Sequence, residues 1–214
     1  MTLRMLSVRA VLAVSLALLP RVSAAQVFGQ YASAEPVAVN GRMFGVYLHT
    51  SDTVLGAMGQ LRLSIYPGVD FGFQGGLARL NLDRGDRTTV RFGTDVKAEI
   101  VHAGEANPFA AAIDGAIGVE TSDEVSVLTL APGAVVSRSY ALGGTSHVVP
   151  YAGAQLAFAR GSVQGSDRND FSLRGRLGAE LDTPAARFVF ELQILPRDDL
   201  DGNYQVVVGA NLPF

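Results

Sequence analysis

Apolar and polar residues alternate along the chain from about residue 41 onward, and this period-two pattern predicts β-strands. Turn-forming sequences separate the alternating stretches; Pro67-Gly68, for example, is typical of a tight turn. No stretch has the spacing of an amphipathic helix. The pattern predicts an all-β protein with ten strands, at about 41–50, 56–66, 69–82, 88–102, 109–120, 125–141, 147–160, 170–181, 187–195 and 204–214.

Two of these segments are irregular. The third begins with Phe71 and Phe73 on its apolar face. It ends with Leu80 and Leu82, which have the opposite parity, so the glycines at 75–76 predict a β-bulge that resets the register. The sixth contains Ala-Pro-Gly at 131–133, which predicts a bend or a bulge there. Because the sixth segment can also be divided differently, eight strands are an alternative to ten.

The lengths of the segments and their polar faces distinguish two architectures. A soluble sandwich or lipocalin-like barrel turns its apolar faces inward, whereas a transmembrane barrel turns them to lipid and keeps a polar lumen. Most of the segments exceed the usual length of about 5–6 residues and reach the roughly 9–11 residues that cross a bilayer. Their polar faces carry small residues and glutamines, such as Gly72, Gln74, Gly153 and Gln155. The sequence therefore predicts an antiparallel up-and-down transmembrane β-barrel over residues 41–214.

Residues 1–25 have the parts of a secretory signal peptide. A basic leader contains Arg4 and Arg9, an apolar run follows, and small residues lead to Ala25 or Gln26, where we predict the mature chain to begin. The apolar run is too short to span a membrane as a helix, and Pro20 interrupts it; an uncleaved anchor is the alternative. Residues 26–40 form a short lead-in. The leader predicts that the protein is exported.

Composition excludes several kinds of site and partner. The chain has no Cys, so it has no disulfide, no thiolate site and no lipid-modified cysteine. Its formal net charge is -3, and removal of the basic leader makes it more acidic, which argues against nucleic acid as a partner. No nucleotide, zinc or haem motif occurs, so we expect no cofactor.

The polar faces of the predicted strands carry charges of both signs. In a barrel these side chains share the lumen, where buried charges persist when they are paired. A barrel of 8–10 strands is just wide enough to be filled by side chains, which favours a salt-bridged plug over the alternative of a conducting pore. Acids such as Asp95, Glu99 and Glu180 are candidates for pairing with Arg174 and Arg176. The predicted lumen charges are Arg62, Asp95, Lys97, Glu99, Asp114, Glu120, Arg174, Arg176, Glu180 and Glu191.

One loop contains residue types that hydrolases use. His49, Ser51 and Asp52 lie together after the first predicted strand. A nucleophile needs a base within hydrogen-bond reach and an acid that orients the base, and three residues so close in sequence rarely reach that geometry. We therefore expect no enzymatic activity.

The other candidates for chemistry lie at strand ends and in acidic loops. His102 and His147 are placed where interface anchoring is expected. The acidic loops at 83–87 and 196–203 resemble calcium loops, but they lack the ligand order of an EF-hand. Solvated loops are the expectation, and no metal site is predicted.

The last alternating segment ends on an aromatic residue. Its outer face carries Tyr204, Val206, Val208, Ala210, Leu212 and Phe214. This pattern, after a signal peptide, resembles the small bacterial outer-membrane β-barrel proteins of the OmpA-type transmembrane barrel superfamily. The resemblance implies that these six residues are the signal read by the barrel assembly machinery and that outer-membrane lipid surrounds the protein. The chain departs from the commonest members in strand number, which is eight in them, and in its short loops.

The sequence thus predicts a porin-like protein of the bacterial outer membrane with a structural or narrow-pore role. Two alternatives stay open. One is a membrane-embedded enzyme that hydrolyses lipid or peptide, and the other is a soluble exported β-barrel with an apolar ligand inside.

Overall fold

The computed structural model describes residues 31–81, 85–163, 165–194 and 204–214. The predicted leader, the beginning of the lead-in, residues 82–84 and the whole acidic loop at 196–203 lie outside the described residues. Among the described residues, no helix is long and apolar enough to cross a membrane. The described strands are β1 (Arg42–Thr50), β2 (Val54–Tyr66), β3 (Val69–Leu80), β4 (Arg87–Val101), β5 (Ala110–Thr121), β6 (Val125–Ser137), β7 (Tyr140–Gly143), β8 (Ser146–Val163), β9 (Ser166–Asp182), β10 (Arg187–Ile194) and β11 (Tyr204–Pro213).

All of these strands except β7 form one closed antiparallel ring. Neighbours in sequence pair from β1 to β6, β6 pairs with β8, and β8 to β11 continue the ring until β11 pairs with β1. Closure leaves no strand edge without a partner. The prediction of a ten-stranded antiparallel up-and-down barrel is confirmed, and the alternative of eight strands is wrong.

The sixth predicted segment is divided in the structure. β6 ends at Ser137, and β7 is a separate strand of four residues that pairs with the beginning of β8. At the Ala-Pro-Gly sequence, β6 keeps a continuous register with β5, but its pairing with β8 is interrupted between Leu130 and Gly133. Pro132 has no N–H to donate to the ladder, which explains the interruption.

The predicted bulge at residues 75–76 is wrong. β3 pairs with β4 in continuous register along its whole length, and with β2 it does so from Leu80 to Phe71. Leu80 therefore points into the barrel and is buried, with 7% of its surface exposed, whereas Phe73 on the outer face is 52% exposed. The change of parity reflects an apolar residue in the lumen rather than a shift of the strand.

The outer surface of the wall is an apolar band. Large apolar side chains on this face are about half exposed, although soluble proteins rarely expose apolar surface on such a scale. The apolar residues of β11 lie on the same face, because Gln205, Val207 and Asn211 between them point inward and are buried. Other members of the band include Phe44, Val46, Leu77, Phe92, Ile117, Leu130, Phe158, Leu173 and Phe190.

The lumen differs between its two ends. We call the end where β1 begins and β11 ends the proximal mouth, and the other end the distal mouth. An apolar cluster lies near the distal mouth, at strand ends or within two residues of them: Val54, Ala78, Leu80, Val125 and Val127. Most of the buried charges lie in the middle of the barrel and in its proximal part.

Candidate functional site

The lumen holds nine of the ten charges predicted for it. Each lies on the inward face of its strand, because the apolar residues beside it point outward. Glu99 is the exception: the register between β4 and β5 shifts after it, and its carboxylate lies 3.2 Å from Nδ1 of the exposed His102. The buried nine are Arg62, Asp95, Lys97, Asp114, Glu120, Arg174, Arg176, Glu180 and Glu191.

The most connected charge cluster surrounds Arg62. Its guanidinium donates to Asp95 at 2.9 Å and also to Asp70. Lys97 Nζ lies 3.4 Å from the other carboxylate oxygen of Asp70, and Gln74 Nε2 donates to Asp95 at 2.6 Å. Two cations thus share two carboxylates across β2, β3 and β4, at a site that excludes solvent.

A second cluster crosses the barrel from β5 to β9. Arg176 forms an ion pair with Asp114, and Gln155 on β8 donates to the same carboxylate at 3.3 Å. The Tyr151 hydroxyl donates to Glu191 at 2.8 Å. Acids and bases on strands that are not neighbours in the ring are therefore joined through the interior, as a filled lumen requires.

The pairings differ from those that the spacing suggested. Asp95 pairs with Arg62, Glu99 with His102, and Glu180 accepts the backbone N–H of Ser33. Register across the barrel decides which charges meet, and the pattern within one strand carries no information about it.

Two buried charges were not among the predicted set. Asp70 lies two residues after Gly68 of the Pro67-Gly68 turn, a position that suggests a solvated side chain. Arg91 lies on the inward face of β4 and forms an ion pair with Glu120 at 2.9 Å. The alternation of apolar and polar residues in β4 places Arg91 on the polar face, so the sequence was sufficient to count Arg91 among the lumen charges.

Residues 31–37, which we call the lumen segment, lie inside the barrel. A tight turn before β1 brings them there: Gly41 N–H donates to the Ala38 carbonyl at 2.7 Å, and Asn40 N–H donates to Ser64 at 2.8 Å. Asn40 has a φ of 61°, a left-handed conformation that Asn tolerates better than most residues. The chain therefore reverses at the proximal mouth, so that β1 joins the wall and the residues before it run into the lumen.

The wall binds the backbone of the lumen segment through charged and polar side chains. Glu180 accepts the N–H of Ser33, Ser137 Oγ accepts that of Ala34 at 3.1 Å, and Asp70 accepts that of Val37 at 3.0 Å. Lys97 Nζ donates to the carbonyls of Ser33 and Glu35, at 3.0 and 2.9 Å. These contacts satisfy groups that would otherwise be buried without partners.

Tyr31 anchors the deep end of the lumen segment. Its side chain is fully buried among Tyr47, Met58, Val189 and Val207, and its ring centroid lies 4.5 Å from that of Tyr47. Its hydroxyl is buried and has no hydrogen-bond partner among the described residues. An aromatic ring in a closed apolar site contributes about 1.5–3 kcal/mol through burial.

Ala34 fills a second, smaller space nearer to the proximal mouth. It is fully buried against Ala110, Ala112, Val135 and Tyr151. Three of these four neighbours have small or β-branched side chains and the fourth is an aromatic ring held by Glu191. Such a site has room for a methyl group and little more.

His49 and Ser51, which were candidates for a hydrolase site, form hydrogen bonds with different partners. His49 is buried in the lumen with Nδ1 2.8 Å from Gln205 Nε2, whereas Ser51 Oγ accepts the N–H of Val54 at 3.1 Å in the distal loop. Within the described ranges, no group of three or more His, Asp and Glu residues is arranged to hold a metal ion.

The comparison with known proteins gives a likeness of fold. No family model matches the chain, and no curated protein matches it significantly in sequence. Among solved structures, an outer membrane channel from Pseudomonas putida F1 is similar with a TM-score of 0.51 and 13% identity, over 88% of this chain and 100% of that one. At this identity the likeness shows the fold alone.

Two further solved structures give lower scores. A bacterial polysaccharide outer membrane secretin has a TM-score of 0.48 and 11% identity, over 83% of this chain and 67% of that one. LpxR from Salmonella typhimurium has a TM-score of 0.47 and 9% identity, over 87% and 79% of the two chains.

Proposed function

We propose that this protein is an exported bacterial outer-membrane β-barrel with a closed, salt-bridged interior and a structural role; a narrow pore is the alternative, which conductance would reveal. The observation that supports this proposal is the distribution of polarity: ion pairs fill the centre, and apolar side chains cover the outside. Lipid solvates such a band, whereas water does not. A barrel of this construction is stable only where hydrocarbon surrounds it.

The same distribution argues against a soluble barrel that carries an apolar ligand. Such a protein needs an apolar cavity, but here the middle of the lumen contains Arg62, Lys97 and Arg176 with their carboxylates. The lumen segment occupies the space between them. The interior is therefore filled by side chains and by the lumen segment, and the barrel in this conformation is closed.

Export and assembly complete the proposal. Residues 1–25 are removed as a signal peptide, and the six outward residues of β11 form the sequence that the barrel assembly machinery reads. Kinship with the OmpA-type superfamily belongs to the same proposal. It includes no enzymatic role, since the hydrogen bonds of His49 and Ser51 lead to different partners.

Four measurements on the wild-type protein test the proposal. Fractionation should place the mature chain in the outer membrane, and N-terminal sequencing should find Ala25 or Gln26 first. The folded barrel should migrate differently on a gel before and after boiling, because a closed barrel resists detergent until it is heated. In planar bilayers the purified protein should show no steady conductance. A soluble location, an uncleaved Met1 in the membrane or steady wild-type currents would each contradict a named part of the proposal.

A further inference from the structure

The contacts of the lumen segment have the form of a binding site for a peptide. Five hydrogen bonds join side chains of the wall to its backbone N–H and carbonyl groups, and the Ser33 side chain adds one to Glu180. The groups that make them, Asp70, Lys97, Ser137 and Glu180, come from β3, β4, β6 and β9. Because backbone groups are common to all peptides, these contacts recognise a chain and its direction rather than its sequence.

The strands hold Asp70 and Lys97 in this site without help from the segment. Residues 31–37 form neither helix nor strand and pair with no strand of the ring. Asp70 and Lys97 are fixed by the ion pairs around Arg62, so their positions depend on the strands of the barrel. If the segment leaves, water takes its place in the lumen and solvates the charged side chains. No charge is then left both unpaired and without water, which is the arrangement that would destabilise the barrel.

Side-chain selection takes place at two positions of the segment. The site of Tyr31 is apolar, enclosed and lined by the ring of Tyr47, which fits an aromatic residue. The site of Ala34, three positions later, is lined by Ala110, Ala112 and Val135 and fits a methyl group. Together they select an aromatic residue followed three positions later by a small one.

We propose that the lumen is a binding site for short peptides of this kind and that residues 31–37 are its resident ligand. The proposal rests on the closed barrel proposed above and goes beyond it, since it assigns the lumen a ligand class. A chain whose own segment cannot enter should bind a separate peptide with the sequence of residues 31–37.

The test uses the full-length protein with one substitution. Ala34→Phe places a ring where a methyl group is enclosed and so keeps the lumen segment out. Ala38→Phe is the matched control, because Ala38 lies in the turn at the proximal mouth and is exposed. The probes are two fluorescent synthetic peptides, YASAEPV and YASFEPV, and the readouts are fluorescence anisotropy and current across a planar bilayer.

Ala34→Phe should conduct and should bind YASAEPV, which should then block the current. YASFEPV should bind about tenfold more weakly or worse, because overpacking of an enclosed site costs about 1–3 kcal/mol. Wild type and Ala38→Phe should stay closed and bind neither peptide, since their site is occupied. If the Ala34→Phe chain does not assemble, Tyr31→Asp, which puts a charge into the apolar site, should give the same open barrel and the same binding.

Several outcomes would overturn the peptide site. One is an open variant that binds neither peptide or binds both equally; another is a wild type that binds YASAEPV as tightly as the variant does. Failure of both variants to assemble would also overturn it, because residues 31–37 would then be part of the fold rather than a ligand. All of these outcomes leave the wild-type barrel closed and in the membrane, so they are distinct from failure of the proposed function.

Discussion

Removal of the Arg62 guanidinium should destabilise the barrel severely. Arg62 is 1% exposed, and the carboxylates of Asp70 and Asp95 that it joins are fully buried. In Arg62→Met the two acids keep Lys97, 3.4 Å from Asp70, as their nearest described cation. One buried carboxylate is then left without a counter-charge, and breaking a buried pair in this way costs about 3–5 kcal/mol.

The matched control is the ion pair between Arg79, on β3 next to the strand of Arg62, and Asp86, just before β4. It lies at the surface, with the two side chains 67% and 41% exposed, so Arg79→Met should cost about 0–1 kcal/mol. Urea unfolding of both variants in lipid vesicles, followed by gel mobility without boiling, gives the two free energies of unfolding. Adding Asp95→Asn to Arg62→Met should recover part of the loss, because it removes the unpaired charge.

The reasoning fails if the two arginine variants lose the same small amount of stability. Water would then reach Arg62 and its acids, and the interior would be a hydrated channel rather than a plug. Steady currents through the wild-type protein would have to accompany that result.

Two further predictions concern the wall and the closing strand. A methyl group at Gly178 would collide with the ring of Tyr151, so Gly178→Ala should lower the free energy of unfolding by about 1–3 kcal/mol; Gly115→Ala, where nothing lies within 4 Å, should be neutral, and equal losses would argue against the contact. Phe214→Asp should reduce the amount of protein in the membrane and leave the unfolding of any finished barrel unchanged, since Phe214 is 69% exposed; normal membrane levels would contradict an assembly signal in β11.

The wall could be predicted from the sequence because alternation is a local signal. Each strand shows which residues share a face, and hydrophobicity shows which face meets lipid, so the inward position of Lys97 or Glu191 follows directly. The error at Leu80 arose where this signal has an exception, since an apolar residue on the lumen face looks like a change of register. Only the pairing of β3 with both of its neighbours separates the two explanations.

The interior of the site could not be predicted in the same way. The acid that pairs with Arg62 is decided by the register across several strands. Asp70 forms such a pair although its position after a turn suggested a solvated residue. The lumen segment has no periodic pattern, because its neighbours are side chains from all ten strands of the ring rather than one packed face. Small residues such as Ala32 and Ala34 therefore resembled a plain linker.

The seam between β1 and β11 also sets the order in which the molecule is built. Tyr47 and Asn211 touch across this seam and are 164 residues apart in the chain, and contacts so distant form slowly. A sealed ring admits chain only through its mouths, so the residues before β1 have to be inside when the seam closes or thread in afterwards. A chain stopped before β11 would leave β1 without this partner and the ring open at the same time. The ring therefore stays open until β11 pairs with β1, and until then the lumen segment can enter from the side as well as through a mouth.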